Sequence, residues 1–379
     1  MLVKRPVYDQ QLRCMAIEIL ANEQASEPGE LVNDFTTLIQ NINSILPVFV
    51  PYALKPLVEN IDPPLENPII LKLHTADINV LYSENDLENS PYSIALMIDN
   101  PEQLVWINYA QYIALSEQVM AVADIVKVVR FIQAKRCKVI AYNIAHLLDF
   151  DQCRAITIDY YCGGFLFEPQ LHEKNIDIAS NKLNLIQLIS ALQNPNTNLD
   201  IVFQLIKADP LLSFQLLKVA NSAAFSGYRA VNSIEQAVQR LGLLHLKNWV
   251  MVLSMKNVSC KPVEIVEAGL IRANMAQMLA SANSGLSPQS AYVGGLLSVL
   301  DSLLDCPMGV LMEKITLTHE ISEALLYQTG ELGELLYLVI NYEQGNWHNL
   351  TSTEYYGLDL SKVYIDCTEH ASIGRQVFA

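Results

Sequence analysis

The seven cysteines, Cys14, Cys137, Cys153, Cys162, Cys260, Cys306 and Cys367, are odd in number and scattered, and no two are spaced Cys-x-x-Cys. That excludes a disulfide framework and a cysteine zinc site, and it fits a reduced, cytoplasmic protein. Positive charge is scarce as well: 40 acidic residues face 24 basic ones, for a net charge of −16. Residues 1–180 hold 23 acidic and 12 basic residues, and residues 181–379 hold 17 and 12. Both halves repel a phosphate backbone at long range, so no nucleic-acid partner is expected. The basic cluster Lys135, Arg136 and Lys138 reads as a solvated face.

Long apolar runs are missing too. The N-terminus is broken by Pro6 and Asp9, and Leu243–Met255 is interrupted by His245, Lys247 and Asn248, so neither a targeting segment nor a membrane span is expected. The seven histidines include no His-x-His, no His-Asp and no His-Glu-x-x-His; His172-Glu173 and His319-Glu320 are neighbours whose side chains diverge on a helix. A hydrolytic metal site needs several convergent ligands, and none is spaced for it. Gly-x-Ser-x-Gly, a Walker-type loop and Gly-x-Gly-x-x-Gly are all absent.

What is present is a globular chain of 379 residues, 51% hydrophobic, long enough for two domains. Its first half alternates short apolar runs with helical stretches. The runs Leu2–Tyr8, Pro47–Val50, Ile69–Leu73, Ser93–Ile98, Ile125–Val129, Lys138–Ala141 and Ala155–Ile158 read as strands. Between them, 31–46 places Leu31, Phe35, Leu38, Ile42 and Ile45 on one helix face. Continuous apolar strands separated by helices predict an α/β domain, and their number in so short a length suits a β/α barrel. The boundary is expected at 180.

The second half is punctuated as helices. Asp209-Pro210 supplies an N-cap and a first-turn proline, and the helix that follows ends near Asn221. Ser233 and Gln236 have capping-box spacing, and Gly242 is the matching stop. Ser287-Pro288 repeats the first device and Thr318 starts another helix. Gly294-Gly295, inside an apolar helix, predicts close helix–helix approach, since glycine there costs about 1 kcal/mol relative to alanine. Gly163-Gly164 reads as a strand-edge turn, and Trp249 and Trp347 as packing residues. No strand is expected between 183 and 345.

The run from Ile206 to Val250, with Asp209-Pro210, Asn221-Ser222, Ser233-Ile234 and Leu241-Gly242, resembles the core of an HDOD domain, and the first half resembles more distantly an EAL domain. The two together are similar to EAL–HDOD bacterial signalling proteins. The resemblance implies a fold that is α/β plus all-α: a degenerate EAL-type β/α barrel over 1–180, then an all-helical, HD-related HDOD domain over 181–379. HDOD domains resemble HD phosphohydrolases without their His-Asp metal ligands, and the corresponding place here is Ser298-Val299.

EAL domains hydrolyse cyclic-di-GMP with metal-bound carboxylates at barrel strand ends, and the resemblance maps those positions onto a depleted set. The signature glutamate survives as Glu18, and a strand lysine is matched to Lys127. The remaining ligand positions fall on Pro51, Lys72, Met97, Ile98, Val129, Tyr142 and Cys162. Glu18 with Lys72 nearby cannot compensate two divalent ions.

The expectation is therefore a non-enzyme with no cofactor and no metal, a regulator or scaffold working through contacts with other signalling proteins, with homo-oligomerisation left open. Cyclic-di-GMP binding is expected to be weakened. The alternative is a receptor whose barrel binds cyclic-di-GMP or another nucleotide without hydrolysing it; an HD-like metal hydrolase is the third reading. Glu18 and Lys127 are read as remnants of a site. Asp209, Pro210, Ser233 and Gly242 are read as caps and stops, and Asn221 and Ser222 as loop organisers with a ligand role left open.

Overall fold

The computed structural model describes residues 1–22, 28–42, 45–61, 65–78, 83–170, 180–194, 199–222 and 231–378. The chain divides into two units, Met1–Glu168 with Gln344–Trp347, and Pro169–Glu343 with His348–Ala379. His172 and Glu173 lie outside the described residues.

Eight strands close the first unit into a barrel: β1 (Leu2–Tyr8), β2 (Cys14–Ala21), β3 (Val48–Pro51), β4 (Ile69–His74), β5 (Ser93–Ile98), β6 (Tyr112–Leu115), β7 (Lys138–Ile144) and β8 (Tyr160–Gly163). β1 runs antiparallel to β2 and β8, and β2 through β8 are parallel to one another. The reversal at β1–β2 is made by Asp9, whose carboxylate accepts from the backbone N–H of Gln11 (2.8 Å) and Arg13 (2.9 Å). A short acidic side chain bonding its own following backbone forms such a turn locally. One residue from each strand then fills the interior: Val7, Ala16, Phe49, Ile70, Ala95, Ala114, Ile140 and Cys162. Each large aliphatic residue there stabilises the barrel by roughly 1.5–3 kcal/mol relative to exposure.

Two strand expectations are corrected. Ile125–Val129 lies in the helix Ile125–Ala134, with Val129 and Ile132 buried one turn apart. Its β-branched run imitates a strand, but continuation through Arg130 to Ala134 restores a helical stripe. Ala155–Ile158 is a helix end and turn, where Thr157 has φ 61°, and the last strand starts at Tyr160. The sixth strand is Tyr112–Leu115, and β2, which carries Glu18, was likewise not expected as a strand.

The described residues between 183 and 345 contain no strand. The 20-residue helix Val263–Ala282 is central to the second unit, packed against Pro288–Leu297, Gly330–Glu343 and Leu360–Phe378. Gly295 permits the first contact: a Cβ there would lie 2.6 Å from the Arg272 carbonyl oxygen. Past residue 345, strands β9 (Glu354–Tyr355) and β10 (Leu358–Asp359) form a small antiparallel hairpin.

Candidate functional site

In a barrel of parallel strands, side chains at the C-terminal strand ends converge, and chemistry is built there. At that end the inward positions carry Glu18 on β2, Lys72 on β4 and Tyr142 on β7, with Arg5 reaching in from β1. The register puts Arg5 directly opposite Glu18. Glu18 is 2% exposed, Lys72 12% and Arg5 14%. Arg5 donates from Nε (3.0 Å) and Nη2 (2.7 Å) to Glu18 Oε2. Lys72 Nζ donates to Glu18 Oε1, and the Cys162 thiol to Oε2 (3.2 Å). Lys72 also donates to the Tyr142 hydroxyl (3.0 Å), and both cations lie about the Tyr142 ring, at 4.8 and 5.0 Å from its centroid. Arg5 Nη1 reaches the Asn143 side-chain oxygen (3.0 Å) across a β-bulge where Asn143 has φ 64°.

The electrostatics follow from this geometry. Burial alone would raise the Glu18 pKa, but the charges of Arg5 and Lys72 and their hydrogen bonds outweigh it and hold the carboxyl at about 2, from 4.5. Burial would lower Lys72; Glu18 and Tyr142 reverse that and raise it. The Cys162 thiol is pushed up by burial, which leaves it protonated and inert. Below this layer the barrel has a cavity of about 10 Å³, room for a single water.

A dinuclear metal centre does not fit this donor set. Glu18 spends both oxygens on two fixed cations, and a divalent ion would have to displace or sit beside them. Among the described residues no group of three His, Cys, Asp or Glu side chains is placed to hold a metal ion. Nor is Glu18 a general base near neutral pH, since a carboxyl held at about 2 has little affinity for a proton.

Lys127 is not part of the site, and its reading as a strand lysine is corrected. It lies on the outer helix Ile125–Ala134, 80% exposed and paired with Asp124 (2.9 Å). The inward residue of β6, between Met97 on β5 and Ile140 on β7, is Ala114. Arg5 was missed by sequence reasoning, although a charge inside the apolar run Leu2–Tyr8 was an available signal. His74 and Asp99, at the ends of β4 and β5, also pair (2.5 Å). His74 Nδ1 accepts from the Ala76 N–H (3.2 Å), so Nε2 is the nitrogen that donates to Asp99.

In the helical unit the motif residues are mostly structural. Asp209 caps Pro210–Ala220 by accepting from Leu212 N–H, with Pro210 in the first turn. Ser233 caps Ile234–Leu241 by accepting from Gln236 N–H (3.2 Å), while the Gln236 side chain accepts from Asn232 N–H rather than completing a box. Gly242, at φ 77°, ends that helix. Asn221 accepts from Val231 N–H (2.8 Å) and donates to Val231 O (2.9 Å), tying the end of the helix Pro210–Ala220 to Val231. The Ser222 hydroxyl oxygen is buried without a hydrogen-bond partner among the described residues. Ser298, in the place that the sequence resemblance allots to HD metal ligands, donates to Gly295 O (2.8 Å) and accepts from Arg272 (3.3 Å). Arg272, 3% exposed, forks onto Glu343 at 3.0 and 2.8 Å.

Residues 181–313 match the HDOD domain model, so the helical unit carries an HDOD domain. The chain is similar to the uncharacterized protein YuxH of Bacillus subtilis, 31% identical over 189 residues, which is 49% of this chain and 46% of that protein. It is 25% identical over 271 residues to the cyclic di-GMP phosphodiesterase CdgJ of Vibrio cholerae, covering 70% of this chain and 62% of that protein. The chain thus spans about half to three-fifths of the length of these relatives. An EAL domain protein from Listeria monocytogenes overlays 43% of this chain and 85% of its own at 12% identity, with a TM-score of 0.30. No helix among the described residues is long and apolar enough to cross a membrane.

Proposed function

We propose that this protein is a non-enzymatic regulator or scaffold in cyclic-di-GMP-related or two-component signalling, and that it works through protein–protein contact. The observation that carries the reading is Glu18: its carboxylate is closed off by Arg5, Lys72 and Cys162. What would be a metal ligand in a hydrolase serves here as a structural ion pair. The HDOD match and the similarity to CdgJ support the signalling context. Purified protein with Mg²⁺ or Mn²⁺ is expected to leave cyclic-di-GMP intact; turnover that Glu18→Ala abolishes would overturn the reading. Pull-down from the native cell identifies the partner.

One observation favours the receptor alternative, in which the barrel binds cyclic-di-GMP or another nucleotide. Two cations against one carboxylate leave the Arg5–Glu18–Lys72 cluster with one net positive charge, suited to a phosphate. Calorimetry separates the two. Binding that is lost in Lys72→Ala and retained in Lys127→Ala supports a receptor; absence of binding supports the scaffold.

A further inference from the structure

The helical unit carries a cleft of about 680 Å³, within the size range of ligand sites. One wall is the helix Gly330–Glu343, which turns Glu331, Glu334 and Tyr337 toward it. The opposite wall is the β9–β10 hairpin with Glu354, Tyr355 and Tyr356. None of the three carboxylates makes an ion pair among the described residues.

The tyrosines are held for display rather than buried. Tyr355 and Tyr356 meet edge to face at 4.8 Å, and the Tyr355 hydroxyl is held by Asn283 (3.3 Å). Tyr356 is 68% exposed and sits at φ 47° in the hairpin turn, ahead of Gly357 at φ 77°. A two-residue turn of that kind favours Asn, Asp or Gly at its first position, and a bulky residue there is an outlier. The turn therefore spends stability to keep an aromatic ring at the cleft. Burial raises the Tyr355 pKa, and the fields of Glu331 and Glu334 add to it, which places both carboxylates within electrostatic reach of that ring.

Aromatic faces and unpaired carboxylates around one hollow make a site for an organic cation, because the ring quadrupole and the carboxylates attract the same charge. Tyrosine also supplies contact area at a low cost in side-chain entropy. We propose that this cleft binds the ammonium or guanidinium side chain of a basic peptide segment on a partner protein. The cleft is lined by residues of the helical unit alone, so the proposal does not depend on the reading of the Glu18 site.

Fluorescence anisotropy of the full chain with a labelled Lys/Arg-rich peptide tests this, beside the same peptide with glutamines in place of its cations. Spermine, as competitor, separates a free polyamine source from a peptide one. The expected result is saturable binding of the basic peptide and none of the neutral one. Glu331→Gln/Glu334→Gln is expected to weaken binding by about tenfold. Glu313→Gln/Glu320→Gln removes the same charge elsewhere on the unit and is expected to change it less than about twofold. Tyr356→Asn relieves the turn, so it is expected to keep or raise the melting temperature while weakening binding. Equal losses in the two double variants would reduce the effect to the net charge of −16 and overturn the proposal. So would binding of the neutral peptide, no binding of the basic one, unchanged binding in Tyr356→Asn, or spermine binding tightly where the peptide does not.

Discussion

Replacing Glu18 by glutamine keeps the shape of the side chain and removes its charge. Arg5 and Lys72, whose side chains are 14% and 12% exposed, are then left as two buried cations without a counter-charge. Breaking a buried ion pair from one side costs about 3–5 kcal/mol, a large share of the roughly 5–15 kcal/mol that holds a domain together. At 2–4 °C per kcal/mol for a unit of this size, calorimetric melting should fall by about 6–20 °C. The triple variant Arg5→Met/Glu18→Leu/Lys72→Met removes every charge at once and refills the space with apolar atoms, so it should melt near the wild type. The pH dependence gives a further arm. Because Glu18 is depressed from 4.5 to about 2, its contribution is complete above the unfolded value and is lost as pH falls through the folded one. The gap between wild type and Glu18→Gln should therefore be flat from about pH 5 to 8 and shrink as pH drops below about 4.5. A loss under about 1 kcal/mol, which is typical of solvated pairs, would refute the reading of Glu18 as a structural ion pair.

Other substitutions test the frame around the site. Gly163→Ala should cost more than about 2 kcal/mol by urea unfolding, because its φ is 151° and a Cβ would fall 2.1 Å from Ile144 O; wild-type stability would refute the β7–β8 register. Asp209→Ala should cost about 1 kcal/mol for the lost cap, and Asn221→Ala more, about 1–3 kcal/mol, since it frees both the N–H and the carbonyl of Val231. His146, hydrogen-bonded to Glu168 and further raised by its charge, should titrate above 6.5 by NMR and return toward it in Glu168→Gln. The pairing favours the charged imidazole, so it contributes below 6.5 and fades as pH rises through the raised value.

Helix ends were the most legible part of the fold in sequence, because a cap is a local event: Asp209, Ser233 and Ser287 each bond a backbone N–H within three residues. Buried strands with long apolar runs, such as Ser93–Ile98, were equally plain. Ile125–Val129 misled because four β-branched residues around one lysine look alike in a strand and on a helix, and only the next turn decides. Tyr112–Leu115 was passed over because four residues carry no period of their own; their partners β5 and β7 define them. At the site, Glu18 and Lys72 were identified and their proximity expected. Arg5 was not, because it enters from the reversed strand, and antiparallel pairing across a turn is a tertiary fact.

Both places where the resemblance allots metal ligands hold fixed side-chain cations, and a fixed cation has a different consequence from a metal. Arg272 lies against Ser298 and is compensated by Glu343 at 10% exposure, so this charge balance is covalently part of the chain and cannot be exchanged. Melting of the full protein should then be unmoved by EDTA and by added Mg²⁺ or Mn²⁺, because with both places held by side-chain cations a metal ion gains no preference for the native state there. Arg272→Met should lower stability by about 3–5 kcal/mol by leaving Glu343 buried alone. Arg272→Lys, which keeps the charge but loses the two-pronged geometry, should fall between Met and wild type. If Mn²⁺ restored the stability of Arg272→Met, or if chelation lowered wild-type melting by several degrees, the site would be a metal site after all, with the arginine only a neighbour.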